Sequence, residues 1–196
     1  WYEIGSVYTI VDAGLNTDLS ESSRYMLAQQ AACAGKIVMS RTQCVSPEKE
    51  KETEEFLEKV LAEFQCSRSL EHDIYRKDWN KMNDSDFQEL TKSGYRTEKC
   101  GKLWMDQREA YNSVYYMNLP IQETELKDAA EKILKDKECG KVFRIKGFLK
   151  REDGSWMELN ITHDQMSVEP IPKGQEVIIV IGEKLNQEKI NQYLEK

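Results

Sequence analysis

Residues 139–160 read CGKVFRIKGFLKREDGSWMELN, and residues 176–190 read EVIIVIGEKLNQEKI. From Val142 to Arg151 the first stretch alternates, with Phe143, Ile145 and Leu149 on one side and Arg144, Lys146 and Lys150 mostly on the other. A period of two marks a half-buried strand. Glu152-Asp153-Gly154 supplies a turn, because Asp-Gly accommodates the left-handed backbone of a tight hairpin. Trp156 to Ile161 alternates again and is expected to pair back. Val177 to Ile181 reads as a buried strand, and Asn186 caps a last helix with Ile190 and Leu194 inward.

The same half of the chain holds more elements. Gln122 to Lys137 reads as a helix with Leu126, Ala129, Ala130, Ile133 and Leu134 inward. Lys102 to Asn118 carries Leu103, Trp104, Val114, Tyr115, Tyr116 and Met117, residues suited to strands. His163 to Glu169 is a short strand that Pro170 and Pro172 are expected to break. This order predicts an α+β unit, one sheet with helices on one face.

The other half reads as α/β. Ser6 to Ala13, SVYTIVDA, is nearly all apolar and fits a strand buried on both faces of a parallel sheet. Ser20 to Gly35 is a helix with Met26, Gln29, Gln30 and Cys33 on one face, stopped by Gly35. Lys36 to Ser40 is a strand, which completes a right-handed βαβ unit. A second helix opens with Ser46 as cap, Pro47 at the first position, and Glu48 and Glu50 facing the helix dipole. Leu57, Val60, Leu61 and Phe64 form its buried stripe, and EKEKETEE is its solvated face. From Cys66 to Lys102 the chain is polar and mixed. Ser85 with Gln88 reads there as a capping box, starting a short helix that Gly94 ends, and Tyr75 and Trp79 pack the segment onto a domain.

With 196 residues the chain can bury a sizeable core without disulfides or metal. Lys plus Arg number 28 against 35 Asp plus Glu, a net charge of −7, which argues against general nucleic-acid or acidic-membrane binding. No run approaches a membrane span and no signal-peptide pattern opens the chain. Cys33, Cys44, Cys66, Cys100 and Cys139 are five widely spaced cysteines with no Cys-x-x-Cys, as expected of reduced thiols in a cytoplasmic protein. Trp1-Tyr2 is not a translation start, so the chain is expected to be part of a longer protein.

No phosphate-cradling Gly-x-x-x-x-Gly-Lys-Ser/Thr loop, nucleophile elbow or catalytic triad is visible. His72 and His163 lack partners at metal-ligand spacing, and His163-Asp164 fits a hydrogen-bonded loop better than a metal site. Arg144, Lys146, Lys150 and Arg151 form a basic strand face, read as ordinary solvent surface beside Glu152 and Glu158 rather than as a phosphate site. Trp104 and Trp156 read as packing anchors. Asp12 ends its strand where open α/β sheets place ligands, but holding a turn is its plainer role.

Two blocks carry a family resemblance. VYTIVDA followed by QQAACAGKIVMSRTQ resembles the second half of the GTP-binding domain of the CobW family, P-loop GTPases linked to metal trafficking and cobalamin synthesis. GKVFRIKGFLKREDGSWMELN with VIIVIGEKLNQEKI is similar to the CobW C-terminal domain, whose hallmark is an Arg-x-Lys-Gly-hydrophobic strand, a turn and a Trp strand. The resemblance implies the second half of a parallel-sheet nucleotide-binding domain over residues 1–72, a connector over 73–102, and a small α+β CobW-like domain over 103–196. The family's P-loop, its Cys-x-Cys-Cys metal motif and its switch regions lie upstream of a strand like Ser6 to Ala13. They are not among these residues.

The family's guanine-specificity motif Asn-Lys-x-Asp falls on Ser40-Arg41-Thr42-Gln43. Its Asp accepts two hydrogen bonds from guanine. Gln43 accepts through one carbonyl oxygen without charge, whereas Arg41 can still stack. Losing charge-assisted bonds costs about 1.5–3 kcal/mol each, enough to blunt guanine selectivity. The implied base-binding residues are therefore Ser40, Arg41 and Gln43, with no catalytic or metal-ligating residue in this chain. GTP and a divalent metal (Mg, Zn or Co) are expected only for the full-length protein, which would be a GTPase only with its P-loop present. The expected setting is metal homeostasis, a cytoplasmic metallochaperone with a client metalloprotein as partner. The alternative is a non-catalytic scaffold module whose nucleotide site has decayed and whose C-terminal sheet docks the client.

Overall fold

β1 (Tyr8–Asp12), α1 (Glu21–Cys33), β2 (Lys36–Ser40), α2 (Pro47–Glu63), β3 (Ile74–Arg76) and α3 (Asp84–Thr91) follow one another in a computed structural model that describes residues 1, 3–104, 110–151 and 153–195. They belong to a first unit, Trp1–Met105; a second unit spans Asp106–Lys196. The three strands form a parallel sheet in the order β1-β2-β3. The Ser20 hydroxyl opens α1 by accepting the Ser23 N–H at 3.2 Å, and Ser46 opens α2 by accepting that of Lys49 at 3.3 Å.

The buried face of α1 differs from expectation. Ser23, Ala28, Ala31 and Ala32 are buried, whereas Cys33 is exposed. Small side chains bring the helix close to the sheet, close enough for the Thr9 hydroxyl to donate to the Gln30 carbonyl at 2.8 Å. On α2 the expected Leu57, Val60 and Leu61 are buried, joined by Thr53 from within the charged run. Thr53 donates to the Ala13 carbonyl at 2.8 Å and so ties α2 to the chain leaving β1. Glu50 and Glu54 of the same run pair with Arg76 on β3.

Residues 73–102, expected as a connector, belong to the first unit. β3 extends the sheet beside β2, and Leu90 of α3 packs with Val38 and Tyr75. Three residues of strand are too few to show a period, which is why the sequence hid β3. The cap of α3 is Asn83 with Asp86 rather than Ser85 with Gln88: the Asn83 side chain accepts the Ser85 and Asp86 N–H groups, and Asp86 accepts that of Asn83 at 2.8 Å. Trp79 is half exposed and Tyr75 is buried. Among the described residues β1 is an edge strand, and it is not buried on both faces: Thr9 and Val11 are covered, but Ile10 is 61% exposed.

The second unit contains β4 (Tyr111–Met117), α4 (Glu123–Lys135), β5 (Lys141–Lys150), β6 (Trp156–Thr162), β7 (Met166–Ile171), β8 (Val177–Glu183) and α5 (Gln187–Leu194). Every strand pair is antiparallel, in the order β4-β8-β5-β6-β7. α4 and α5 contribute Leu126, Ala130, Ile133, Ile190 and Leu194 to a core shared with Ile145, Met157, Leu159, Ile178 and Val180. Leu103 and Trp104 lie outside any strand, and Trp104 is 95% exposed, not an anchor. The next part of that expected strand, residues 105–109, lies outside the described residues. β7 runs through Pro170, which an edge strand tolerates because its open side needs no donor.

One bulge corrects the alternation expected for β5. The register against β8 shifts between Val142 and Arg144, so Val142 is buried and Phe143 leaves the core, tilting against Tyr111 at 5.4 Å between ring centroids. At the far end Gly154 takes φ +84° in the hairpin turn. Gly147 and Gly182 matter for space. A Cβ on Gly147 would meet a Leu126 methyl, whereas one on Gly182 would meet the Lys141 carbonyl and the Val142 Cα. Gly182→Ala should therefore cost about 1–3 kcal/mol, and more than Gly147→Ala, because a side-chain methyl yields more readily than paired backbone. Urea unfolding of the two variants checks the order.

In the first unit the Arg68 side chain is buried, donating to the Ala31 carbonyl and to Asp73 at 2.9 Å, and Arg96 meets Asp73 at 3.0 Å. Burial works to raise the Asp73 carboxyl, but the hydrogen bond and charge of Arg68, with Arg96, outweigh it and hold the group below its ordinary range. Stabilisation from a depressed carboxyl is complete above its unfolded pKa, about 3.9, and is lost as pH falls through the folded value. The stability difference between wild type and Asp73→Asn should shrink as pH drops below about 4, measured by urea midpoints across pH.

Candidate nucleotide-base site

The carboxyl ends of β1 and β2 lie side by side, Asp12 opposite Ser40. The Ala13 N–H donates to the Ser40 carbonyl at 2.8 Å, and the Ser40 hydroxyl donates to the Val11 carbonyl at 3.2 Å. The chain then turns sharply. Arg41 adopts a left-handed conformation, φ 59° and ψ 28°, and Thr42–Cys44 form a single 3-10 turn closed by the Cys44 N–H on the Arg41 carbonyl at 2.9 Å.

That turn brings Arg41 onto Asp12. Its Nε donates to Oδ1 at 3.2 Å and its terminal nitrogen meets Oδ2 at 2.9 Å, a two-point ion pair. Oδ1 also accepts the Gly14 N–H at 2.9 Å, so Asp12 does hold a turn, as its plainer reading had it. Both side chains are more than a third exposed, so solvent screens the pair to roughly 0.2–1 kcal/mol. The pair joins residues 29 positions apart, and neither residue type nor spacing signalled it. Ser40 and Arg41 thus meet with Asp12, while Gln43 sits exposed on the same turn.

Guanine presents N–H donors that need acceptors. Gln43 offers one neutral carbonyl oxygen, and the nearby carboxylate, Asp12, is already engaged by Arg41 and Gly14. Gln43 and the engaged Asp12 do not reproduce a charge-assisted guanine clamp, and the Arg41 guanidinium is held by its edge on Asp12. Among the described residues no group of three His, Cys, Asp or Glu side chains is placed to hold a metal ion. Burial pushes the Cys100 and Cys139 thiols up to about 11, with Cys66 adding to the effect on Cys100 and Asp136 to that on Cys139. They stay protonated and are poor ligands. His163 Nε2 donates to the Val142 carbonyl at 2.8 Å, the loop role expected of it.

The basic strand face is largely internally paired. Arg144 donates to Asn160 at 2.7 Å, Lys146 meets Glu158 at 2.7 Å and Arg151 meets Glu123 at 3.0 Å. The strand that carries Arg144-Ile145-Lys146-Gly147, its turn and the Trp156 strand form the centre of the second unit. Residues 113–196, nearly the whole of it, match the family described as the cobalamin synthesis protein cobW C-terminal domain. Over these residues the chain is similar to that domain.

Comparison with curated proteins gives no match. Among solved structures, the Zn(II)-bound YjiA GTPase from E. coli is 18% identical with a TM-score of 0.40, and a Zn(II)-bound triple mutant of YjiA GTPase is 17% identical with the same score. Each alignment covers 98% of this chain and 60% of the other, so the chain spans less than two thirds of those proteins. Among the described residues no helix is long and apolar enough to cross a membrane.

The Asp12 geometry separates two variants. Asp12→Asn keeps an acceptor for Gly14 and loses only the screened ion pair, so it should cost under about 1 kcal/mol. Asp12→Ala also strands the Gly14 N–H and should cost more, which paired urea titrations would resolve.

Proposed function

We propose that the chain is the C-terminal portion of a CobW-like GTP-binding protein of metal homeostasis. The observation that carries this reading is the order of parts: a parallel strand-helix-strand-helix-strand unit, then a CobW C-terminal domain. The open edge of β1 supports it. Tyr8 and Ile10 leave apolar surface uncovered on a strand whose sequence suits burial on both faces, which is the condition of a parallel sheet that continues beyond β1. On this reading the P-loop, the switch segments and the metal motif belong to the continuation. GTP and its divalent metal bind only when that part is present, and the residues here do not hydrolyse nucleotide by themselves. Ser40, Arg41 and Gln43 then face the base, at the carboxyl end of β2. The nucleotide state would change how the protein presents metal to a client.

A second reading, a scaffold module with a decayed nucleotide site, is favoured by one observation: the Arg41 guanidinium is taken up by Asp12. Gln43→Asp in the full-length protein decides between them. A rise in preference for GTP over ATP by about tenfold or more, the worth of one charge-assisted bond, supports the GTP-binding reading; unchanged and negligible nucleotide binding in both forms supports the scaffold. The 196-residue chain alone should bind GTP weakly or not at all by calorimetry, and tight guanine-selective binding by it would refute the assignment of the nucleotide machinery to a missing part.

A further inference from the structure

Three cysteines of the first unit gather where α1 and α2 end. Cys33 is the last residue of α1, Cys66 follows the end of α2, and Cys100 lies on residues 96–101, a stretch with neither helix nor strand. That stretch is tied at both ends. The Arg96 N–H donates to the Cys33 carbonyl at 2.9 Å, and the Gly101 N–H donates to the Phe64 carbonyl at 2.6 Å. The second bond sets Cys100 beside Cys66, and the approach is close: a Cβ on Gly101 would stand 3.3 Å from the Phe64 carbonyl oxygen. Both cysteines belong to one apolar cluster with Leu61 and Phe64, and their thiols share a hydrogen bond. Both are free thiols, 8% and 9% exposed at the rim of that core, whereas Cys139 in the second unit is fully buried. Between Cys66 and Cys100 run β3 and α3, which are lightly held. β3 has three residues, and α3 buries Leu90 alone.

We propose that Cys66 and Cys100 form an oxidative modification site, which a small disulfide such as oxidised glutathione converts to an intramolecular disulfide that staples both ends of the β3–α3 segment to the core. A small apolar side chain would fill either position; two thiols in contact add the capacity to exchange. One of them, as thiolate, attacks oxidised glutathione, forms a mixed disulfide and releases one glutathione thiolate. The other gives up its proton to solvent and attacks the protein sulfur of that mixed disulfide. The Cys66–Cys100 bond forms and a second glutathione leaves. The two protein thiols lose two electrons and two protons, and the oxidised glutathione takes them up. Access comes through residues 96–101: breaking the Gly101 bond lifts Cys100 away without unfolding a helix or strand. Closing residues 66–100 into a covalent ring then removes open conformations of the lightly held segment inside it. The proposal is independent of the nucleotide reading.

The 196-residue chain is incubated with oxidised glutathione, its remaining thiols are blocked, and its peptides are mapped by mass spectrometry. The map should contain a peptide pair joined through Cys66 and Cys100, which dithiothreitol separates. In a Cys33→Ser, Cys44→Ser background the chain should still lose the mass of one hydrogen pair. Adding Cys100→Ser should abolish that loss, and adding Cys139→Ser should not. Proteolytic cleavage between residues 67 and 99 should slow by about tenfold or more in the oxidised chain and recover on reduction. A map in which Cys33 and Cys44 carry glutathione while Cys66 and Cys100 remain thiols overturns the proposal, as does a bond from the exposed Cys33 to either of them in place of the expected one. Cleavage that the Cys66–Cys100 bond leaves unchanged overturns the stapling. If circular dichroism shows the Cys100→Ser chain unfolded, the wild-type peptide map decides: the joined pair supports the site, and its absence beside glutathione-bearing Cys33 and Cys44 overturns it.

Discussion

The C-terminal domain depends on the pairing of β5 with β8. β5 is the middle strand, bonded to β8 on one side and β6 on the other, and the helices close over the face that it and its neighbours present. Its register is set where the bulge at Val142 and Arg144 meets Gly182, a position where backbone approaches too closely for any Cβ. A slip by one residue would turn Ile145 and Leu149 to solvent and Lys146 inward. The bulge pins that choice, adding one residue at the start so that Val142 and Ile145 both reach the core. The Arg-x-Lys-Gly signature falls on the strand just past it. Its Gly147 leaves room for Leu126, and its two cations find acceptors on β6 in Asn160 and Glu158. The family signature is thus a packing signature. It fixes the sheet and the seat of α4, and it says nothing by itself about chemistry.

The N-terminal unit rests on a different kind of constraint. Its strands are short, and much of its order comes from polar groups reaching over from neighbouring segments. Thr53 holds the chain after β1, Arg68 spans from Ala31 to Asp73, and Asp12 gathers Gly14 and Arg41. Three of these contacts, Thr53 to Ala13, Arg68 to Ala31 and Arg41 to Asp12, join residues 29 to 40 positions apart. Such contacts are invisible to periodicity, which reports only how a segment divides its own apolar and polar faces.

That difference explains what could be read in advance. Long segments with clear periods, β5, β6, β8, α2 and α4, were legible, as were the caps at Ser46 and Asn186. Short or compositionally flat ones were not. β3 has three residues, α1 buries alanines that carry little pattern, and Thr53 hides inside eight polar positions. Phe143 misled because a bulge breaks the period that assigned it. Of the candidate base site, the placement of Ser40 and Arg41 at the end of a parallel strand was readable from the βαβ order. The capture of Arg41 by Asp12 was not, because it depends on a left-handed residue that is not glycine.

The two units leave open edges of different kinds, and the difference tells what can complete each. A parallel strand is joined to its neighbour through a long crossover, so a strand added in parallel beside β1 would bring a connecting segment with it. An antiparallel edge needs no crossover and can be completed by symmetry, since a two-fold axis relates two strands running in opposite directions. β4 carries neither charge nor proline, while β7 at the opposite edge bears Glu169 and Pro170. The two edges therefore differ in kind: extending the parallel one requires a crossover, and extending the antiparallel one does not.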